Sequence, residues 1–135
     1  MDLTIQYITR NINYYWYYEI NKIHKIPLNV FIRHIIKESR TNEIILKIAI
    51  IYLLRIKDKI DINDESQCGR RMFLIALILA TKYWNDYYYT NKAWSKISGL
   101  PTEEIFNLEF LFLEKIDYKL HFSSNEYKSI SNNIK

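Results

Sequence analysis

Two glycines and two prolines are the only strong backbone breakers in a chain of 135 residues. Glycine supplies the positive φ that tight hairpins demand and proline presets the other common turns, so a turn-rich β-sandwich has no raw material here. A collagenous chain and a glycine-rich disordered tail are excluded on the same ground. What remains is a set of helices joined by polar links. The scarcity also limits the chemistry. A phosphate-cradling loop needs two glycines in one short motif and a dinucleotide-binding turn needs three, whereas Gly69 and Gly99 stand far apart. An enzyme built on a nucleotide cradle is excluded.

Apolar periodicity then has to place the elements. The run Tyr14-Tyr15-Trp16-Tyr17-Tyr18 predicts an aromatic-faced helix over residues 12–24, ended by Pro27. Phe31, Ile32, Ile35 and Ile36 recur at helical spacing and predict a helix over 28–38. Thr41 or Asn42 caps the next, whose wide stripe of Ile44, Ile45, Ile48, Ile51 and Tyr52 runs to about residue 57. Residues 58–66 read as an acidic loop. A helix over 67–84 follows, apolar on nearly every side between Met72 and Ala80. Thr90 or Asn91 caps a short helix that stops at Gly99, and Pro101 with Glu103 and Glu104 starts another that runs to about residue 120. No period-two pattern stands out, so the expected class is all-α, with five principal helices plus flanking pieces.

A helix apolar all round is buried, which makes its few charges informative. With Ile105 at zero and about 100° per residue, Ile116 falls near about 20°, Leu113 near about 80° and Glu109 near about 40°, inside the apolar arc. The same construction from Met72 puts Lys82 near about 280°, between Ile75 and Ile78. Two opposite charges thus project from apolar faces of two central helices. They fit either a buried ion pair, with the lysine stem packed and its head reaching water, or a patch that a partner protein covers.

Other constellations carry less. His24, His34 and His121 lack ligand spacing, and Asp61-Ile62-Asn63-Asp64-Glu65 opens like a calcium loop but has Ser66 at the glycine position and Met72 at the bidentate-glutamate position. No catalytic, metal or cofactor set is expected. Nineteen basic residues against fifteen acidic ones give +4, yet Lys and Arg are spread in ones and twos, so nucleic acid is not the expected partner. The single cysteine, Cys68, fits a reducing compartment. The segment Met1 to Gln6 has no secretory pattern, and the longest apolar run, Met72 to Ala80, is short of the ~20 residues that span a bilayer. A soluble protein of the nucleus or cytoplasm is expected, with no membrane association.

The residues around the two odd charges carry a resemblance. Arg71-Met72-Phe73-Leu74-Ile75-Ala76-Leu77-Ile78-Leu79-Ala80-Thr81-Lys82-Tyr83 resembles the third helix of a cyclin box. Asn91-Lys92-Ala93-Trp94-Ser95-Lys96-Ile97-Ser98-Gly99 is similar to the fourth helix of the fungal Pho/Pcl-type cyclins, relatives of the plant U/P-type. Leu108-Glu109-Phe110-Leu111-Phe112-Leu113 followed by Ile116-Asp117-Tyr118-Lys119-Leu120 resembles the fifth. Ile26-Pro27-Leu28 and Ile51-Tyr52-Leu53-Leu54-Arg55 are similar to stretches of the first and second.

The resemblance implies a single five-helix cyclin box over residues 26–122, an aromatic-rich helical segment over 1–25 and a polar tail over 123–135. It implies a regulatory subunit that binds and activates a cyclin-dependent Ser/Thr kinase in cell-cycle or phosphate signalling, with no catalysis or cofactor of its own and no second box. The family's kinase-contacting lysine and glutamate match Lys82 and Glu109, and its neighbouring apolar contacts match Tyr83, Leu113, Tyr118 and Leu120. Two positions depart from the family pattern: Leu54 stands where an Asp commonly precedes the helix-two arginine, and Arg70 where this branch carries His. The alternatives are a cyclin-fold scaffold or transcription-related module without kinase activation, and a helical nucleic-acid-binding domain.

Overall fold

The computed structural model describes residues 1–19 and 22–135. Among them are seven α-helices and no strand: α1 Asp2–Tyr15, α2 Leu28–Ser39, α3 Glu43–Ile56, α4 Gly69–Trp84, α5 Asn91–Ser98, α6 Thr102–Lys115 and α7 Ser124–Ile134. Single 3-10 turns at Tyr17–Glu19 and Glu65–Gln67 serve as connectors. None of these helices is long and apolar enough to cross a membrane.

Every residue of α4 from Met72 to Thr81 is buried, as the unbroken apolar run demands. α4 lies centrally, with α3 packed along one side, α6 along another, and α1 and α2 also against it. α5 bridges α2 and α6, while α7 lies on α3 and α1. Local chemistry sets the helix starts. Asn42 Oδ1 accepts from the Ile45 N–H at 2.9 Å, Thr90 Oγ1 from Ala93 at 3.2 Å, and Ser123 Oγ from Glu126 at 3.1 Å. Cys68 Sγ takes the same place for α4, accepting from the Arg71 N–H at 3.5 Å. Gly99, at φ 83°, ends α5 in the left-handed conformation that a Cβ penalises.

The first helix differs from the sequence expectation of residues 12–24. It spans Asp2–Tyr15, because Ile5, Ile8 and Ile12 form the stripe that packs inward. The aromatic run closes the helix instead of continuing it. Trp16 leaves helical geometry, is buried, and donates from Nε1 to the carbonyl oxygen of Gln67 at 3.0 Å, while Tyr14 and Tyr17 face solvent. Residues 20 and 21 of the expected span lie outside the described residues. α1 approaches α4 so closely that a Cβ on Gly69 would lie 2.5 Å from Ile12 Cγ2.

α6 is also shorter than expected. It stops at Lys115 because Asp117 and Tyr118 both turn left-handed, at φ 55° and 58°. The 123–135 segment, polar in composition, is a helix anchored by buried Ile130 and Ile134.

Arg40 ends α2 in the left-handed region at φ 54°, with its side chain exposed. Glycine avoids the Cβ clash of that conformation, so Arg40→Gly is expected to stabilise the fold by about 1 kcal/mol. Differential scanning calorimetry should read this as a rise in Tm of about 3 °C. An unchanged or lower Tm would mean that the Arg40 side chain has a compensating role.

Candidate functional site

Lys82 sits in the last turn of α4, Asn91 is the first residue of α5, and Glu109 lies in the middle of α6. The three close a ring. Lys82 Nζ donates to Glu109 Oε1 at 2.7 Å and to Asn91 Oδ1 at 2.8 Å, and Asn91 Nδ2 donates to Glu109 Oε2 at 3.0 Å. Both carboxylate oxygens therefore have a partner, which is what allows a carboxylate to sit on a buried face. The Glu109 side chain is 10% exposed and that of Lys82 24%, so the ring meets solvent along its lysine edge. The two charges singled out by their angles are thus one ion pair. By sequence Asn91 is a candidate cap and the head of the stretch similar to the fourth cyclin helix; in the structure Thr90 is the cap and Asn91 is the third member of the ring.

Tyr83, Leu113, Tyr118 and Leu120 come together as the lining of one open groove of about 810 Å³ beside the ring. Tyr83 and Tyr118 are 57% and 60% exposed, Leu113 and Leu120 half-buried. Leu113 lies one turn beyond Glu109, and Ile116 contributes to the groove from the end of α6. Arg55, Lys59, Asp117, Lys119 and His121 give the groove a polar margin.

The groove's far wall is the turn and linker after α6, in which the Tyr118 N–H bonds back to the Leu113 carbonyl at 2.8 Å and the Lys119 N–H to that of Ile116 at 3.0 Å. The linker's carbonyl groups are held by α3. Arg55 Nη1 donates to the Lys119 carbonyl at 2.6 Å and Nη2 to that of His121 at 2.7 Å, while the Tyr52 hydroxyl donates to the Leu120 carbonyl at 2.8 Å. Burial raises the Tyr52 phenol above its ordinary pKa, so it stays protonated and a donor; the Trp84 indole N–H donates to the same hydroxyl at 2.6 Å. Arg55 also meets the Glu126 carboxylate of α7 at 3.0 Å. Leu54, in the place of the family's Asp, packs against the core, and Arg70 lies 5.4 Å over the Phe31 ring.

An aromatic pair escaped the sequence reading. Phe106 and Phe110 stack edge to face at 4.9 Å on α6, each about half exposed. On the wheel used above they fall at about 100° and about 140°, outside the buried arc. Large apolar residues on that shoulder were the available signal, obscured because α6 is apolar on most sides. Elsewhere, Asp64 of the acidic loop caps the following turn by accepting from the Ser66 N–H at 3.0 Å. Among the described residues no group of three His, Cys, Asp or Glu side chains is arranged to hold a metal ion.

A protein-family model described as Cyclin matches residues 5–120. The chain is 37% identical over 101 residues to the G1/S-specific cyclin pas1 of Schizosaccharomyces pombe, an alignment covering 72% of this chain and 25% of pas1. It is 32% identical over 103 residues to PHO85 cyclin-5 of Saccharomyces cerevisiae, covering 72% of this chain and 45% of that protein. With Cyclin-U2-1 of Arabidopsis thaliana it shares 23% over 113 residues, covering 83% of this chain and 51% of the relative. The chain thus spans between a quarter and about half the length of these relatives. No solved structure gives a significant match.

Proposed function

Because this chain belongs to the cyclin family, we propose that it is a regulatory subunit that binds and activates a cyclin-dependent Ser/Thr kinase of the kind served by PHO85 cyclins. The observation that carries the reading is the Lys82–Asn91–Glu109 ring set beside the groove of Tyr83, Leu113, Tyr118 and Leu120. A half-buried charged ring next to exposed aromatics suits a partner that covers the aromatics and hydrogen-bonds to the charged edge. Phe106 and Phe110 extend the same apolar surface along α6.

A kinase alone samples an inactive arrangement in which the αC glutamate is away from the β3 lysine that holds the ATP phosphates. Contacts made only with the active position of αC shift that equilibrium toward the assembled site. This chain contributes a fixed surface for αC and no reacting group. By the same reading it works where such kinases act, in the nucleus or cytoplasm.

Co-purification with a PHO85-type kinase and a Ser-Pro peptide phosphorylation assay test the proposal. A stoichiometric complex with stimulated phosphorylation is expected; folded protein that neither binds nor stimulates would overturn it. Phe110→Ser is expected to weaken the complex about tenfold while leaving the Tm within a few degrees, since the ring is already half exposed. A scaffold acting through another face would keep its partner when Glu109 is changed to Lys.

A further inference from the structure

Asp117 and Tyr118, consecutive and both left-handed, are followed by a stretch that none of the seven helices includes. Two non-glycine residues in that conformation are unfavourable and persist only where the surroundings over-determine them. The turn's own backbone bonds close it, from the Tyr118 N–H to the Leu113 carbonyl at 2.8 Å and from the Asp117 N–H to that of Glu114 at 3.0 Å, and two side chains at i, i+3 on one face of α3 fasten the stretch that follows. Tyr52 and Arg55 between them bind three successive carbonyl groups, those of Lys119, Leu120 and His121. Arg55 alone binds the outer two, because its planar fork presents donors at a fixed spacing that a lysine ammonium cannot reproduce. The fork is itself held by both carboxylate oxygens of Glu126, at 3.1 and 3.0 Å, from α7.

The held stretch carries two groove residues, Tyr118 and Leu120, on the backbone that Arg55 fixes. From this geometry we infer that Arg55, braced by Glu126, is a positioning residue for the kinase-binding groove: it fastens the backbone on either side of Leu120, directly after Tyr118, and thereby makes the C-terminal helix part of partner recognition. The inference rests on the kinase-binding reading above. Pre-setting the turn removes an ordering cost that binding would otherwise carry. Arg55 acts through the backbone, and its effect on binding exceeds its effect on stability.

The test uses the full chain in two arms. The first is hydrogen exchange of the free protein. Arg55→Ala is expected to speed exchange of the hydrogen-bonded Tyr118 and Lys119 amides at least about tenfold while α4 amides keep their protection, with Arg55→Lys intermediate and Glu126→Gln milder. The second is titration against a PHO85-type kinase, where Arg55→Ala should raise Kd about tenfold, mainly through faster dissociation, and Arg55→Lys should recover part of the loss. Should Arg55→Ala fail to fold, Arg55→Lys and Glu126→Gln carry both arms. Unchanged exchange in the folded variants overturns the clamp, and a loosened turn with wild-type Kd overturns its role in recognition. Wild-type protein that binds no such kinase overturns the functional reading and the positioning role together, while the exchange arm still decides whether Arg55 holds the turn.

Discussion

Glu109→Ala is expected to weaken kinase binding at least about thirtyfold and to lower the stability of the free protein by about 2 kcal/mol. The stability cost follows from what the variant leaves behind. Lys82 and Asn91 lose their shared acceptor, and a fully buried ammonium stranded in this way costs about 3–5 kcal/mol. The Lys82 side chain is 24% exposed and can turn its head into water, which brings the cost below that range but above the ~0–1 kcal/mol of a surface pair. Binding suffers more because the kinase would cover the lysine edge and remove that escape. Glu109→Gln should be milder on both counts, since an amide can still accept from Lys82. Urea denaturation of the free protein and titration of the complex separate the two effects. A double-mutant cycle with Lys82→Met should return a coupling energy clearly above zero for folding and for binding. Additive losses in both would mean that the ring does not act as a unit.

Trp16→Ala should be strongly destabilising, at about 3–5 kcal/mol. The indole is fully packed, and its N–H is the donor to the Gln67 carbonyl across the α1–α4 crossing. Trp16→Phe keeps most of the packing and removes the donor, leaving a buried carbonyl short of one partner, so it should cost about 1–3 kcal/mol. Gly69→Val attacks the same crossing from the other side. Its Cβ would meet the Ile12 Cγ2 methyl at 2.5 Å, so the Ile12 side chain or α1 with it must shift. Both Trp16→Ala and Gly69→Val should expose α1 to limited proteolysis before the rest of the chain, with urea midpoints lowered accordingly. Wild-type midpoints would show that α1 is an accessory to the core.

These two regions differ in how far the sequence reveals them. α4 and its misplaced charge are legible because the run from Met72 to Thr81 has no competing period, so Lys82 interrupts an otherwise uniform helix. Glu109 is legible for the same reason on α6. Position 91 yields a cap and the head of the stretch similar to the fourth cyclin helix, since an Asn after Thr reads locally, and its use in the ring depends on two helices meeting in space. α1 is misplaced because five adjacent aromatics dominate any local average, while the isoleucines that decide the matter are spaced and modest. The end of α6 has no glycine or proline to mark it; a left-handed pair followed by carbonyls that Tyr52 and Arg55 hold cannot be seen in the residues that form it. Arg55 and Glu126 are 71 residues apart, and nothing near either announces the other.

The α1–α4 crossing also bears on how the protein is made. Ile12 and Trp16 leave the ribosome more than fifty residues ahead of the Gly69 platform and the Gln67 carbonyl that receive them. At about 5–20 residues per second that is an interval of seconds in which two large apolar side chains lack their seats. The ring partners on α4, α5 and α6, by contrast, are at most 27 residues apart, so Lys82 waits about half as long for Glu109. The α4–α6 ring can therefore assemble soon after it emerges, whereas α1 stays without its seat until α4 has been made.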